Sequence, residues 1–293
     1  MTAIDQGIGA ASGIASTGYW DTVKELAAAQ KTAARGAPAY SRYINRRLGR
    51  LLAAAALRTG LGPNAITAIS ALFTFTGIAL LVLFPPSGVL GIGVALCLVV
   101  GYALDSADGQ VARMQGSGSP AGEWLDHMVD AVKTSLMPLA LAVGLYRFGA
   151  VDTWWLLVPL GAAVVSAVLF FSMILTEQLR RQAGRASVAS TTGRSWIRSV
   201  LVIPMDYGIL CLSFVFYGAL PLFLTIYTLI FTATAAFLLL ASIKWFRELS
   251  TVPPASHPAG KHRLQEPAAI ASSTAVTGST AATGSAVGSG ATQ

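Results

Sequence analysis

The chain has 293 residues, of which 54% are hydrophobic and only 11% charged, a balance far from that of a water-soluble domain. That composition excludes a soluble globular enzyme and points to a chain that crosses a bilayer several times. The formal charge of +7 would suit nucleic acid, but the basic residues stand beside apolar runs. They set membrane topology first and attract anionic head groups second, so no nucleic-acid partner is expected.

Residues 1–39 lack a basic start followed by an apolar run, and read as a cytoplasmic arm with no cleavable signal. The stretch "YSRYINRRLGRLLAAAALRT", Tyr40 to Thr59, alternates arginines with apolar residues at helical spacing and predicts an amphipathic helix on the membrane surface. Gly60 and Gly62 end it, and Pro63 opens the next helix. A hydrocarbon core about 30 Å thick needs roughly 20 apolar residues per helix. Six stretches meet that need: Ala65–Phe84, Val89–Val111, Leu125–Tyr146, Trp154–Leu175, Ile197–Tyr217 and Leu222–Trp245. The expected fold is therefore all-α, a polytopic membrane protein of six transmembrane helices behind a surface helix, in one domain over residues 40–250. Residues 251–293, rich in Ala, Ser, Thr, Gly and Pro, predict a disordered tail.

Arginines precede the first span and follow the second and fourth, while the connections "FPPSG" and "YGALP" carry no charge. By the positive-inside rule, both termini face the cytoplasm of a plasma-membrane protein. Cys97 and Cys211 fall within predicted spans without metal-ligand spacing, and read as small buried hydrophobes.

The chain has only 13 acidic residues, and five of them fall in "LDSADGQVARMQGSGSPAGEWLDHMVDA". Asp105 and Asp108 share one face of the second span, and Asp126 and Asp130 one face of the third. A short loop joins these antiparallel neighbours, so the two pairs can meet at one depth. Each carboxylate costs on the order of 3 kcal/mol inside a membrane, and four together repel, so protons or a multivalent cation must compensate. Oxygen-only ligands select hard cations, Mg²⁺ or Mn²⁺, with Ca²⁺ also open. From the aspartates alone, a cation or proton pathway and a catalytic site remain equal readings. Gly109, Ala112 and Gly122 leave room for a bulky ligand near the backbone, although small residues also serve plain helix packing. Arg113 adds a cation suited to phosphate.

The spacing Asp105-x2-Asp108-Gly109-x2-Ala112-Arg113-x8-Gly122-x3-Asp126-x3-Asp130 resembles, at every specified position, the signature of the CDP-alcohol phosphotransferase family of membrane enzymes. "PNAIT", Pro63 to Thr67, looks like that family's segment opening the first span, and the resemblance covers about Arg42 to Arg247. It implies that Asp105, Asp108 and Asp126 ligate divalent metal on the diphosphate of a CDP-linked donor. It implies also that Asp130 is the general base for the acceptor hydroxyl and a further contact of that metal. Gly109, Ala112, Arg113 and Gly122 would line the nucleotide site, with Asn64 and Thr67 contributing from the first span. The implied partners are a CDP-linked donor, an alcohol acceptor and membrane lipid; a homodimer is left open.

Such a family has two donor schemes. The form "SPAGEWLDHMVD" looks like the aminoalcohol branch, in which a soluble CDP-alcohol gives its head group to a lipid hydroxyl. Arg180, Arg181, Arg185, Arg194 and Arg198 instead suit a phosphorylated polar acceptor, and the reading leans to CDP-diacylglycerol as donor. Lys133, one turn beyond Asp130, reads equally as an acceptor contact or a counter-charge. Asp206, beside Pro204, is expected to face the acceptor pocket, and His127 to support Asp126 or pack locally. The reading of another class is a non-enzymatic carrier or scaffold that binds cations through the same carboxylates.

Overall fold

A computed structural model of the protein describes residues 18–30, 39–184 and 206–251. The described residues form helices and no strand. The first is α1, Tyr19–Gln30, followed by a π-helical turn at Ser41–Asn45 that runs into α2, Arg46–Thr59. Then come α3, Pro63–Leu83; α4, Gly88–Gln115; α5, Pro120–Arg147; and α6, Leu157–Gln182. A short α7, Tyr207–Ser213, and a long α8, Leu220–Ser250, complete the described chain.

Among the described residues, five helices are long and apolar enough to cross a membrane: those starting at Pro63, Gly88, Pro120, Thr153 and Leu220. The predicted fifth span, Ile197–Tyr217, is represented by the shorter apolar helix Tyr207–Phe216, and residues 197–205 lie outside the described residues. The tail predicted over 251–293 lies outside them too, beyond Thr251.

The arm before residue 40 contains a helix that the apolar pattern does not announce. Its Leu26 is buried in a small core with Ala53, Ala54, Leu57, Ile66 and Val111, and Tyr19 donates its hydroxyl to the Leu51 carbonyl at 3.0 Å. Only a few apolar residues of α1 face inward, so tertiary contact rather than its own amphipathicity secures it.

Local sequence fixes the turn between α4 and α5. Gly116 takes φ of 60°, in the left-handed region where glycine is favoured, and ends α4. Ser119 then caps α5, its hydroxyl accepting from the Gly122 amide at 3.1 Å, with Pro120 in the first turn. Both helices thus run unbroken through their aspartates.

Close helix crossings set the depth at which those aspartates meet. Gly101 of α4 lies against Thr74 and the Ser70 carbonyl of α3, and the Ser70 hydroxyl donates to the Gly101 carbonyl at 2.8 Å. Gly144 of α5 lies on the Leu81 carbonyl of α3, where a side chain would collide. Small residues let membrane helices approach backbone to backbone. Below, a core of Leu81, Val94, Leu98, Met137, Leu141 and Phe223 binds α3, α4, α5 and α8.

Candidate active site

The carboxylates converge. Asp105, Asp108 and Asp126 each offer an oxygen within 4.8 Å of the others, and Asp126, His127 and Asp130 form a second such group. The first group could hold one divalent ion. Its donors are all carboxylate, the set that hard cations select.

Each acid is held by a different device. Asp108 is buried and accepts a 2.6 Å hydrogen bond from the Thr67 hydroxyl, so the segment opening α3 orients this carboxylate. Lys133 is buried, donates to Asp105 at 3.0 Å and forms an ion pair with Asp130. A cation between two like charges offsets their repulsion and holds both in place. The same ammonium lies 5.7 Å from the centre of the Tyr207 ring. Tyr207 in turn packs edge-on against Tyr102 at 5.1 Å.

Two cavities reach this cluster from different sides. The first, about 610 Å³, is lined by every nucleotide-site residue of the sequence reading: Asn64, Thr67, Gly109, Ala112, Arg113 and Gly122. Asp108 and Asp126 form its inner wall. Arg113 folds back over Gly109, where a Cβ would stand 3.3 Å from its Nη1. Burial, and then the neighbouring Arg113, push the Arg46 guanidinium below its ordinary range. Arg113 lines the first cavity, and its fixed positive charge favours an anion there.

The second cavity, about 370 Å³, is lined by Asp105, Asp130, Lys133 and Asp206 together with Tyr102 and Tyr207. The two tyrosines are absent from the sequence reading. Tyr102 stands three residues before Asp105 on the same face of α4, a usable signal, whereas Tyr207 is distant in sequence and only the fold delivers it.

The expected acceptor residues divide. Lys133 and Asp206 line the second cavity, but Asp206 spends both oxygens on backbone amides, those of Ser41 and Gly208 at 3.0 and 3.1 Å. It caps α7 and ties that helix to the π-helical turn. Arg180 and Arg181 line neither cavity. Arg180 makes a bidentate pair with Glu248, 2.7 Å for each bond, and Arg181 lies 3.4 Å from Glu123. These pairs join the ends of α5, α6 and α8. Arg185, Arg194 and Arg198 lie outside the described residues. His127 packs edge-on against Phe170 and lies 3.9 Å from Glu123.

Comparison with known proteins agrees with this geometry. A family model described as CDP-alcohol phosphatidyltransferase matches residues 61–241. A phosphatidylinositol phosphate synthase of Corynebacterium glutamicum is 38% identical over 109 residues, 36% of this chain and 43% of that protein. Cholinephosphotransferase 1 of Xenopus laevis is 31% identical over 100 residues, 32% of this chain and 25% of that protein. The chain thus matches less than half the length of either relative. The family match spans most of the chain and contains the whole carboxylate cluster, and the protein belongs to the CDP-alcohol phosphatidyltransferase family.

Proposed function

We propose that this protein transfers a substituted phosphate from a CDP-linked donor to an alcohol hydroxyl and releases CMP, as a step of phospholipid synthesis. One observation carries the reading: the carboxylate cluster is divided between two cavities. Asp108 and Asp126 face the first and Asp105 and Asp130 the second, as a reaction between two bound substrates requires.

In this reading Asn64, Gly109, Ala112, Arg113 and Gly122 seat the cytidine diphosphate, and Thr67 also steadies Asp108. Asp105, Asp108 and Asp126 hold a divalent cation, Mg²⁺ or Mn²⁺. Such a cation, when bound, neutralises charge on the transferring phosphoryl group and improves CMP as a leaving group. Asp130, across the cluster, takes the proton from the acceptor hydroxyl. Lys133 positions it.

The donor divides the reading further. The names of the two relatives fall on either side, one ending in phosphatidylinositol phosphate and the other moving phosphocholine. The lean to CDP-diacylglycerol draws on five arginines, and Arg180 and Arg181 are engaged by glutamates instead.

Purified protein supplied with CDP-linked donors and alcohols should release CMP only when Mg²⁺ or Mn²⁺ is present, and CDP should raise its melting temperature only with the metal. A cation carrier or scaffold would bind metal without nucleotide selectivity, and that result would remove the enzymatic reading.

The arginine-bearing ends of α4 and α6 and the start of α5 share one end of the bundle, as the Arg181–Glu123 pair supports. We therefore place both termini and the first cavity on the cytoplasmic side of the plasma membrane. After replacement of Cys97 and Cys211, Ser117→Cys should react with an impermeant thiol reagent from the cytoplasmic side, and Pro85→Cys from the outside. The reverse pattern would invert the topology.

A further inference from the structure

Helix α1 precedes residues 61–241, over which the family match runs, yet its inward face joins the part of the fold that carries the metal ligands. Tyr19, Thr22, Val23 and Leu26 recur at i, i+3, i+4 and i+7, one stripe of the helix, and Thr22 and Leu26 are buried. Trp20, Asp21, Lys24 and Glu25, off that stripe, are exposed. Helix α1 packs on α2, and α2 packs on α4. The grip of α2 on α4 is close: Asn45 donates to the Tyr102 carbonyl at 3.1 Å, and a Cβ on Gly49 would stand 2.8 Å from the Ser106 side chain. Ser106 lies between Asp105 and Asp108 in sequence, so α2 holds α4 from behind at the turns that present those acids in front.

One small core runs through all four helices. Leu26 of α1 shares it with Ala53, Ala54 and Leu57 of α2, Ile66 of α3, and Ala107 and Val111 of α4. Ile66 and Ala107 immediately precede Thr67 and Asp108. Successive residues of a helix point about 100° apart, so on each helix one residue enters this core while the next makes the 2.6 Å bond between Thr67 and Asp108. The alanines supply little bulk, and Leu26 is one of the few large side chains that fill the space. Its loss would leave a cavity into which the neighbouring helices relax. A relative shift of α3 and α4 by about 1 Å would carry the Thr67–Asp108 contact beyond hydrogen-bond length.

We infer that α1 is a brace for the metal site and that Leu26 is a positioning residue. Through the shared core it backs α2 and holds α3 and α4 at the separation at which Thr67 orients Asp108. This role rests on the proposed phosphotransfer, in which Asp108 is a metal ligand, and gives a part in it to a helix that lies before the family match.

The test is a Mn²⁺ titration of CDP binding to full-length protein in lipid nanodiscs, followed by calorimetry at a temperature where every variant is folded. Leu26→Ala should raise the Mn²⁺ midpoint by at least about threefold, within the range reached by residues that touch neither ligand. Leu26→Met, which conserves volume, should keep the midpoint near that of the unaltered protein. Leu145→Ala is the comparison: Leu145 is buried on α5, about 22 Å along the helix from Asp130. It should lower the melting temperature yet leave the midpoint in place. On a Thr67→Val background, Leu26→Ala should add no further shift, because the bond it supports is already gone. Should Leu26→Ala fail to fold, Leu26→Val is read in the same way. An unchanged midpoint in the folded Leu26 variant would overturn the inference, as would an equal shift in Leu145→Ala or a fully additive shift on the Thr67→Val background. Absence of Mn²⁺-dependent CDP binding in the unaltered protein would instead sink the phosphotransfer, and the brace with it.

Discussion

Asp130→Asn should leave the protein inserted and folded, with metal-dependent CDP binding intact, yet lower kcat by at least about a hundredfold, the scale of losing a general base. The expected separation of binding from turnover follows from position. Asp130 lines the second cavity and lies outside the Asp105, Asp108, Asp126 group, while the residues proposed to seat the nucleotide line the first. Asparagine keeps the shape but accepts no proton at neutral pH. Lys133 retains its 3.0 Å bond to Asp105, so the buried ammonium keeps one anionic partner and the helix pair should persist. Single-turnover CMP release, measured beside thermal protection by CDP, checks both halves. Near-normal turnover would remove Asp130 from the proton-accepting role.

The second large effect is expected at Asp108. Asp108→Asn should abolish thermal protection by CDP at all practical Mn²⁺ concentrations, because it removes one of three clustered donors and the buried acid that lines the first cavity. Thr67→Val tests the same site more gently. It keeps the side-chain volume and deletes the 2.6 Å hydrogen bond to Asp108, and loss of such an orienting partner typically costs 10–100-fold in metal affinity. A Mn²⁺ titration of CDP protection should therefore shift by about that factor in Thr67→Val. If Thr67→Val titrates like the unaltered protein, Thr67 does not orient a metal ligand. Intact protection in Asp108→Asn would refute the ligand assignment itself.

The polar ends of the bundle are tied differently from its middle. The Arg180–Glu248 pair joins α6 to α8, and Asp206 joins α7 to the turn before α2. Both were open to an acceptor role on sequence grounds, because a charged residue near an apolar run has the same signature whether it binds a ligand or a neighbouring helix. Glu248 lies 68 positions from Arg180, and nothing local in the sequence couples them.

Sequence alone determined the helical membrane architecture, since apolar runs of bilayer length admit few alternatives to a spanning helix. It determined also that the four aspartates pair by face, because i, i+3 and i, i+4 spacings are properties of any α-helix. The short loop from Gly116 to Ser119 made α4 and α5 adjacent. The six sequence-read residues that line the first cavity were legible for the same reason, all of them lying on α3, α4 and α5 and carried by fixed motifs. Only the tertiary structure decided that Thr67 reaches Asp108, that Lys133 bridges Asp105 and Asp130, and that Tyr207 closes the cluster. Those contacts depend on how closely helices cross at Gly101 and Gly144, and on where α7 returns to the bundle. The second cavity was hidden for the same reason. Its walls come from five helices, α4 to α8, and no one of them shows it alone, because a cavity is a property of the gap between helices rather than of any one of them.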